Sequence, residues 1–144
     1  MATWAEFAAA TPDLAAFGAG RLASAVAYLA TVRPDGGPRV HPFTPIVGLG
    51  RLYVYMEPTS PKGHDLRRDS RYALHCGVED TGGGKGEFAL TGRATLIEDA
   101  ALRQQLDGAA SYQPKPHYIV FELSIDSALA THYDGAAINR QRWP

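Results

Sequence analysis

The spacing of apolar residues changes period several times along the chain, and each change marks an element. Trp4, Phe7 and Ala8, then Leu14, Phe17 and Leu22, recur through an alanine-rich start that is interrupted at Thr11-Pro12-Asp13. This predicts two short amphipathic helices between Thr3 and Leu22. Thr11 caps the second, and Pro12 takes the first helical position, where its missing N–H costs nothing. From Ala25 to Val32 the residues are apolar or β-branched; Pro34-Asp35-Gly36-Gly37-Pro38 then supplies turn chemistry before Arg39 to Thr44. That is a β-hairpin pattern, because glycine provides the positive φ of a tight turn. A second turn at Gly48-Leu49-Gly50 leads into Arg51 to Met56, so three consecutive antiparallel strands are expected. Pro42 and Pro45 cannot donate to a ladder, which puts the second strand at an edge or at a bulge where the backbone turns toward a ligand.

Beyond Met56 the period returns to helical. Lys62 to Asp69 is polar with Leu66 as its main apolar anchor, and Ser60 can cap it, which predicts a short surface helix. Arg71 to Glu79 reads as a strand, Asp80 to Gly86 as a flexible loop and Glu87 to Ile97 as a long strand. Leu102 and Leu106, four apart within Glu98 to Gly108, predict a helix, and His117 to Ile125 alternates as a further strand. The last ten residues are polar until Trp143, a tail whose tryptophan needs something to pack on, a partner subunit being one candidate. Helices, three strands, helix, two strands, helix, strand is an order that suits an antiparallel barrel with peripheral helices.

Composition narrows the function classes. At 144 residues, without repeat or linker, residues 1–144 form one domain. Fourteen basic against fifteen acidic residues give a net charge of −1, so neither nucleic acid nor an anionic membrane is attracted by the whole molecule, and any anion site must be local. The lone Cys76 excludes an internal disulfide; it lies in an apolar run and reads as a buried structural thiol. The first ten residues lack a basic, continuously apolar leader, and a cytoplasmic location is expected. Histidines at 41, 64, 75, 117 and 132 match no compact metal motif, so no metal is expected. Ser60 has no Gly-x-Ser-x-Gly elbow, and the glycines from Thr81 to Gly86 lack the ending of a P-loop.

The most informative stretch is Ser60-Pro61-Lys62-Gly63-His64-Asp65-Leu66-Arg67-Arg68-Asp69, following the aromatic strand Tyr53-Val54-Tyr55-Met56. A hydroxyl, an ammonium and free amides at a helix start make a phosphate cradle, to which Arg39 can add a bidentate contact. The competing reading is that Lys62, Arg67 and Arg68 only solvate a helix face.

Three segments in this order carry a resemblance. The run from Ala25 through Asp35-Gly36-Gly37-Pro38-Arg39-Val40-His41-Pro42 resembles the opening hairpin of the pyridoxamine 5'-phosphate oxidase-like, FMN-binding split-barrel family. Ser60-x-Lys62-x-x-x-Leu66-x-x-Asp69-x-Arg71 is similar to that family's phosphate-holding segment, and Glu87 to Ala94 to a later barrel strand. The resemblance implies a mainly β fold: a six-stranded antiparallel split β-barrel with short helices, homodimeric, with cofactor in two clefts at the subunit interface. By position, Arg39, Ser60 and Lys62 would hold the phosphate, and Val40, His41, Pro42 and Phe43, with Tyr55 and Met56, would line the ring. The implied activity is an FMN-dependent oxidoreductase acting on a small molecule. Alternatives are a reductase using the deazaflavin coenzyme F-420, with Arg67, Arg68 and Arg71 as its basic groove, and a flavin- or haem-binding module without turnover. Ser60 stands where deazaflavin users often carry a second basic residue, which favours FMN. Flavin chemistry requires no particular protein acid or base, and His41 and Tyr55 are only the best-placed polar side chains. The end, Asn139-Arg140-Gln141-Arg142-Trp143-Pro144, lacks the arginine- and histidine-bearing substrate motif of the true oxidases, so oxidation of vitamin B6 is not implied.

Overall fold

The computed structural model describes residues 1–23 and 26–144; Ala25, where the sequence pattern begins the first strand, lies outside the described residues. Helix α1 (Trp4–Ala10) starts in a capping box, with the Thr3 hydroxyl accepting from the Glu6 N–H and the Glu6 carboxylate accepting from the Thr3 N–H. Helix α2 (Pro12–Ala23) begins on Pro12 as expected.

The strands are β1 (Ala27–Val32), β2 (Pro38–Phe43), β3 (Ile46–Gly48), β4 (Arg51–Met56), β5 (Arg71–His75), β6 (Glu87–Leu96), β7 (Ile119–Asp134) and β8 (Ala137–Trp143). Helix α3 (Pro61–Arg68) lies between β4 and β5, and α4 (Ala100–Ala109) between β6 and β7. Pairing follows the path β2-β1-β5-β6-β7-β4-β3, antiparallel at every step. The ends of this path, β2 and β3, are joined by only Thr44 and Pro45. A connection that short spans at most about 11 Å, so the sheet must curl until its ends approach, giving the split barrel.

The ladder breaks there because Pro45 has no N–H to donate. β2 is therefore an edge strand, as its prolines require, but it does not pair with the next strand, and the expected three-strand run resolves into two hairpins. The second hairpin turns on Leu49 and Gly50, both at positive φ, which matches the right-handed twist of its flanking strands.

Strand β7 differs most from expectation. Of its 16 residues, Phe121 to Thr131 pair with the whole of β6, while its other edge serves β4 first and then β8. The polar tail is thus a hairpin closed at Gly135, with φ of 61°. Trp143 packs on Phe7 of the same chain, ring centroids 5.2 Å apart, rather than waiting for a partner. With β3 and β8 added, the described residues form eight strands instead of six.

Alternation along β4 organises the interior. Leu52, Val54 and Met56 enter the barrel core with Phe7, Leu29, Phe88 and Leu123, whereas Tyr53 and Tyr55 face a second cluster beneath Leu106 of α4. β4 is therefore buried on both sides, and its aromatic face holds a helix beside the start of α3.

Candidate functional site

The turn after β4 delivers α3 with its N-terminus beside the sheet. Ser60 caps it, Oγ accepting from the Gly63 N–H at 3.2 Å, and Pro61 is the first helical residue. Capping uses one lone pair of the hydroxyl and leaves its proton for another acceptor. Lys62, in the first turn, is half-buried, and burial pushes its ammonium below the ordinary lysine value. Among the described residues it forms no ion pair.

Lys62 opens onto a cleft of about 280 Å³. Five of the nine residues inferred from the sequence meet there: Pro42 and Phe43 from β2, Tyr55 and Met56 from β4, and Lys62. Ser60 stands at the cap just before it. Val40 is on the opposite, outer face of β2 and 64 % exposed, while His41 sits half-buried opposite Leu29.

Arg39 is tied into a network the sequence did not announce. Its Nε donates to Asp65 Oδ2 at 2.7 Å; the same oxygen accepts from Thr31 Oγ1 at 2.8 Å, and Oδ1 accepts from Arg68 at 3.0 Å. Burial of Asp65 favours its neutral form, yet the hydrogen bonds from Arg39, Thr31 and Arg68 outweigh burial and hold the carboxyl below its usual range. Arg67 donates to the Pro58 carbonyl and Arg71 to Asp69. The three arginines of the supposed basic groove thus each have an internal partner.

Four further residues complete the cleft: Thr44, Glu57, Tyr112 and Tyr118. The two tyrosines come from the segment between α4 and β7; Tyr112 lay in a stretch given no role by the sequence, and Tyr118 in the expected strand from His117 to Ile125. Glu57 pairs with His117 Nε2 at 2.8 Å. Tyr55 gives its ring to the cleft but not its hydroxyl, which donates to Asp107 Oδ1 at 2.6 Å, where Arg103 also binds at 2.8 Å. The Arg103 guanidinium lies over the Tyr55 ring, 5.2 Å from its centroid. Burial, then the bond to Asp107, raises the Tyr55 pKa, so the phenol stays protonated.

These features suit a phosphorylated planar cofactor. A desolvated ammonium without a carboxylate partner, next to a capped helix start, matches an anion. Phe43, Tyr55 and Tyr112 offer apolar walls for a ring system. The volume lies near the lower end of the roughly 300–1,000 Å³ usual for small-molecule sites.

Comparison with known proteins places this architecture. The sequence profile described as Pyridoxamine 5'-phosphate oxidase matches residues 14–132. Comparison with curated proteins returned no match. Among solved structures, a heme binding protein from Mycobacterium smegmatis is similar, with 18% identity and a TM-score of 0.66, over 88% of this chain and 57% of that one. A provisionally assigned pyridoxamine 5'-phosphate oxidase from Lactobacillus delbrueckii is 21% identical with a TM-score of 0.63, covering 77% of this chain and 88% of its own. HutZ, the heme storage protein from Vibrio cholerae, gives 15% identity and a TM-score of 0.58 over 81% of this chain and 89% of that one.

Proposed function

The chain belongs to the pyridoxamine 5'-phosphate oxidase family, and from that membership we propose an FMN-dependent oxidoreductase acting on a small molecule, a homodimer with cofactor at the subunit interface. The observation that carries the reading is Lys62: half-buried, without an acidic partner among the described residues, at the start of α3 and facing an aromatic cleft. Its Nζ, its own backbone N–H and the free proton of Ser60 Oγ hold the phosphate, since Pro61 has no N–H and that of Gly63 is taken by the cap. Arg39, anchored through Nε on Asp65, keeps its terminal N–H groups for the same anion. Phe43, Tyr55 and Met56 exclude water from the ring, with the β2 backbone from Val40 to Phe43 along its edge. A bound flavin supplies the electron and hydride chemistry, and the protein supplies orientation and electrostatics.

The dimer reading rests on the outer face of the sheet. Register places Pro42, Tyr28, His75, Ala89 and Leu129 in one row across five strands, and Val40, Ala30, Ala73, Thr91 and Ser127 in the next. These side chains are mostly small or apolar, and Val40 and Tyr28 are 64 % and 48 % exposed. Pro42 belongs both to this face and to the cleft, so a copy docked on the face would close the cleft.

Likeness to two haem proteins supports a second reading, a haem-binding module without turnover. No described histidine lines the cleft; of its side chains, Tyr112 and Tyr118 would be the ones to hold a haem there.

An absorbance spectrum of the purified protein, then titration with FMN, with coenzyme F-420 and with haem, separates these readings. Flavin bands that survive gel filtration support the first, and a Soret band the second. Lys62→Ala should weaken FMN binding by about 1.5–3 kcal/mol, the value of a charge-assisted hydrogen bond. Equal affinity in that variant would remove Lys62 from the site.

A further inference from the structure

Beside the cofactor cleft lies a larger pocket, of about 480 Å³, that the site described so far does not use. Its walls are Leu22 at the end of α2, Pro45, Ile46 and Val47 at the split in the barrel, and Ala109 at the end of α4. Leu22 and Ile46 are each 3 % exposed, so this side of the pocket is fixed by core packing. Among the described residues no charged side chain lines it. The volume lies inside the range of a complete small-molecule site.

Its position gives it meaning. Thr44 lines both pocket and cleft, and of two neighbouring residues Ser111 lines the pocket and Tyr112 the cleft. The compartments therefore share a wall one residue thick. We propose that this pocket is the substrate subsite, and that it receives the uncharged, apolar body of a small molecule whose other end reaches the cleft past Thr44. The inference rests on reading the neighbouring cleft as the cofactor site. An ionised group placed here would lose hydration and gain no counter-charge. Lys62, a cation of the neighbouring cleft, is taken by the cofactor's phosphate in that reading. A phosphorylated substrate is thereby disfavoured, and a neutral aliphatic or aromatic one selected.

The test uses N-phenyl-1-naphthylamine, a neutral fluorescent probe, and its anionic counterpart 1-anilinonaphthalene-8-sulfonate, on the full chain. The neutral probe should saturate at one site per chain and the anionic one bind far more weakly. Ala109→Trp changes an exposed position that faces the pocket; it should lower neutral-probe affinity about tenfold or more, a difference of about 1.4 kcal/mol, and leave FMN affinity unchanged. Lys62→Ala should do the reverse. Failure of FMN to bind the unaltered protein, with the probe still displaced by Ala109→Trp, would sink the cofactor reading but keep the subsite. Equal probe binding in Ala109→Trp, preference for the anionic probe, or a change of oligomeric state on filling the pocket would overturn the subsite.

Discussion

Asp65 shows how one residue can fix a site without touching it. It is 1 % exposed, and its two oxygens gather Thr31 from β1, Arg39 from β2 and Arg68 from its own helix. The carboxylate thus holds the start of the barrel against α3 and sets where Arg39 and, through the helix, Lys62 stand. Asp65→Asn should lower stability at neutral pH by about 2 kcal/mol, since the two arginines, both partly exposed, lose a charged acceptor but still reach water. The sign with pH follows from the direction of the shift. A carboxyl held below its unfolded value contributes stability above that value, 3.8, and loses it as pH falls through the lower folded value. The gap between the urea midpoints of the two proteins should therefore be full at neutral pH and shrink as pH falls below 3.8. A constant gap between them would mean that Asp65 acts through shape alone. At this scale the sequence was half legible. Ser60 and Lys62 stood out because a cap and a lysine are local signals, but the partners of Asp65 lie 26 and 34 residues away on strands whose register no local pattern sets.

Elements were more readable than residues, and their failures are instructive. Both hairpin turns, the cap of α3 and the leucines four apart in α4 follow from local chemistry, and helices α3 and α4 lie close to their expected bounds, while β5 stops at His75, short of Glu79, and β7 runs on past Ile125 to Asp134. Strand β8 did not, since Ala137 to Trp143 is exposed on nearly every residue and has no alternation to read; only β7 makes it a strand. The bulge between Thr91 and Gly92, where β6 and β7 change register, was equally silent. A Cβ built on Gly92 would lie 1.8 Å from the Ser124 carbonyl oxygen, which is backbone and cannot swing away. Gly92→Ala should force the two longest strands apart and cost more than about 3 kcal/mol, at the upper end of overpacking penalties. Thermal or chemical denaturation of Gly92→Ala within about 0.5 kcal/mol of the unaltered protein would show that the bulge relaxes freely.

For the whole molecule, the two unsatisfied surfaces lie on the same side of the argument. The outer sheet face presents two rows of mostly small and apolar side chains, and the cleft beside Lys62 is small; Pro42 belongs to both. An isologous pairing of two such faces would bury each against its copy and close two clefts in one step. If so, a charge on this face should act twice. Val40 is exposed, makes no contact with the cleft and lies in the second row, so Val40→Asp leaves the folded monomer intact. In a dimer it would set two carboxylates into an apolar contact, where neither finds a partner. Light scattering behind size exclusion should then show the unaltered protein at twice the 15.5 kDa chain mass and Val40→Asp at the chain mass. FMN affinity should fall along with the dimer although no side chain that lines the cleft has changed. A Val40→Asp monomer that binds FMN as tightly as the dimer would place the whole site within one chain, and a monomeric unaltered protein would leave the outer face without its proposed partner.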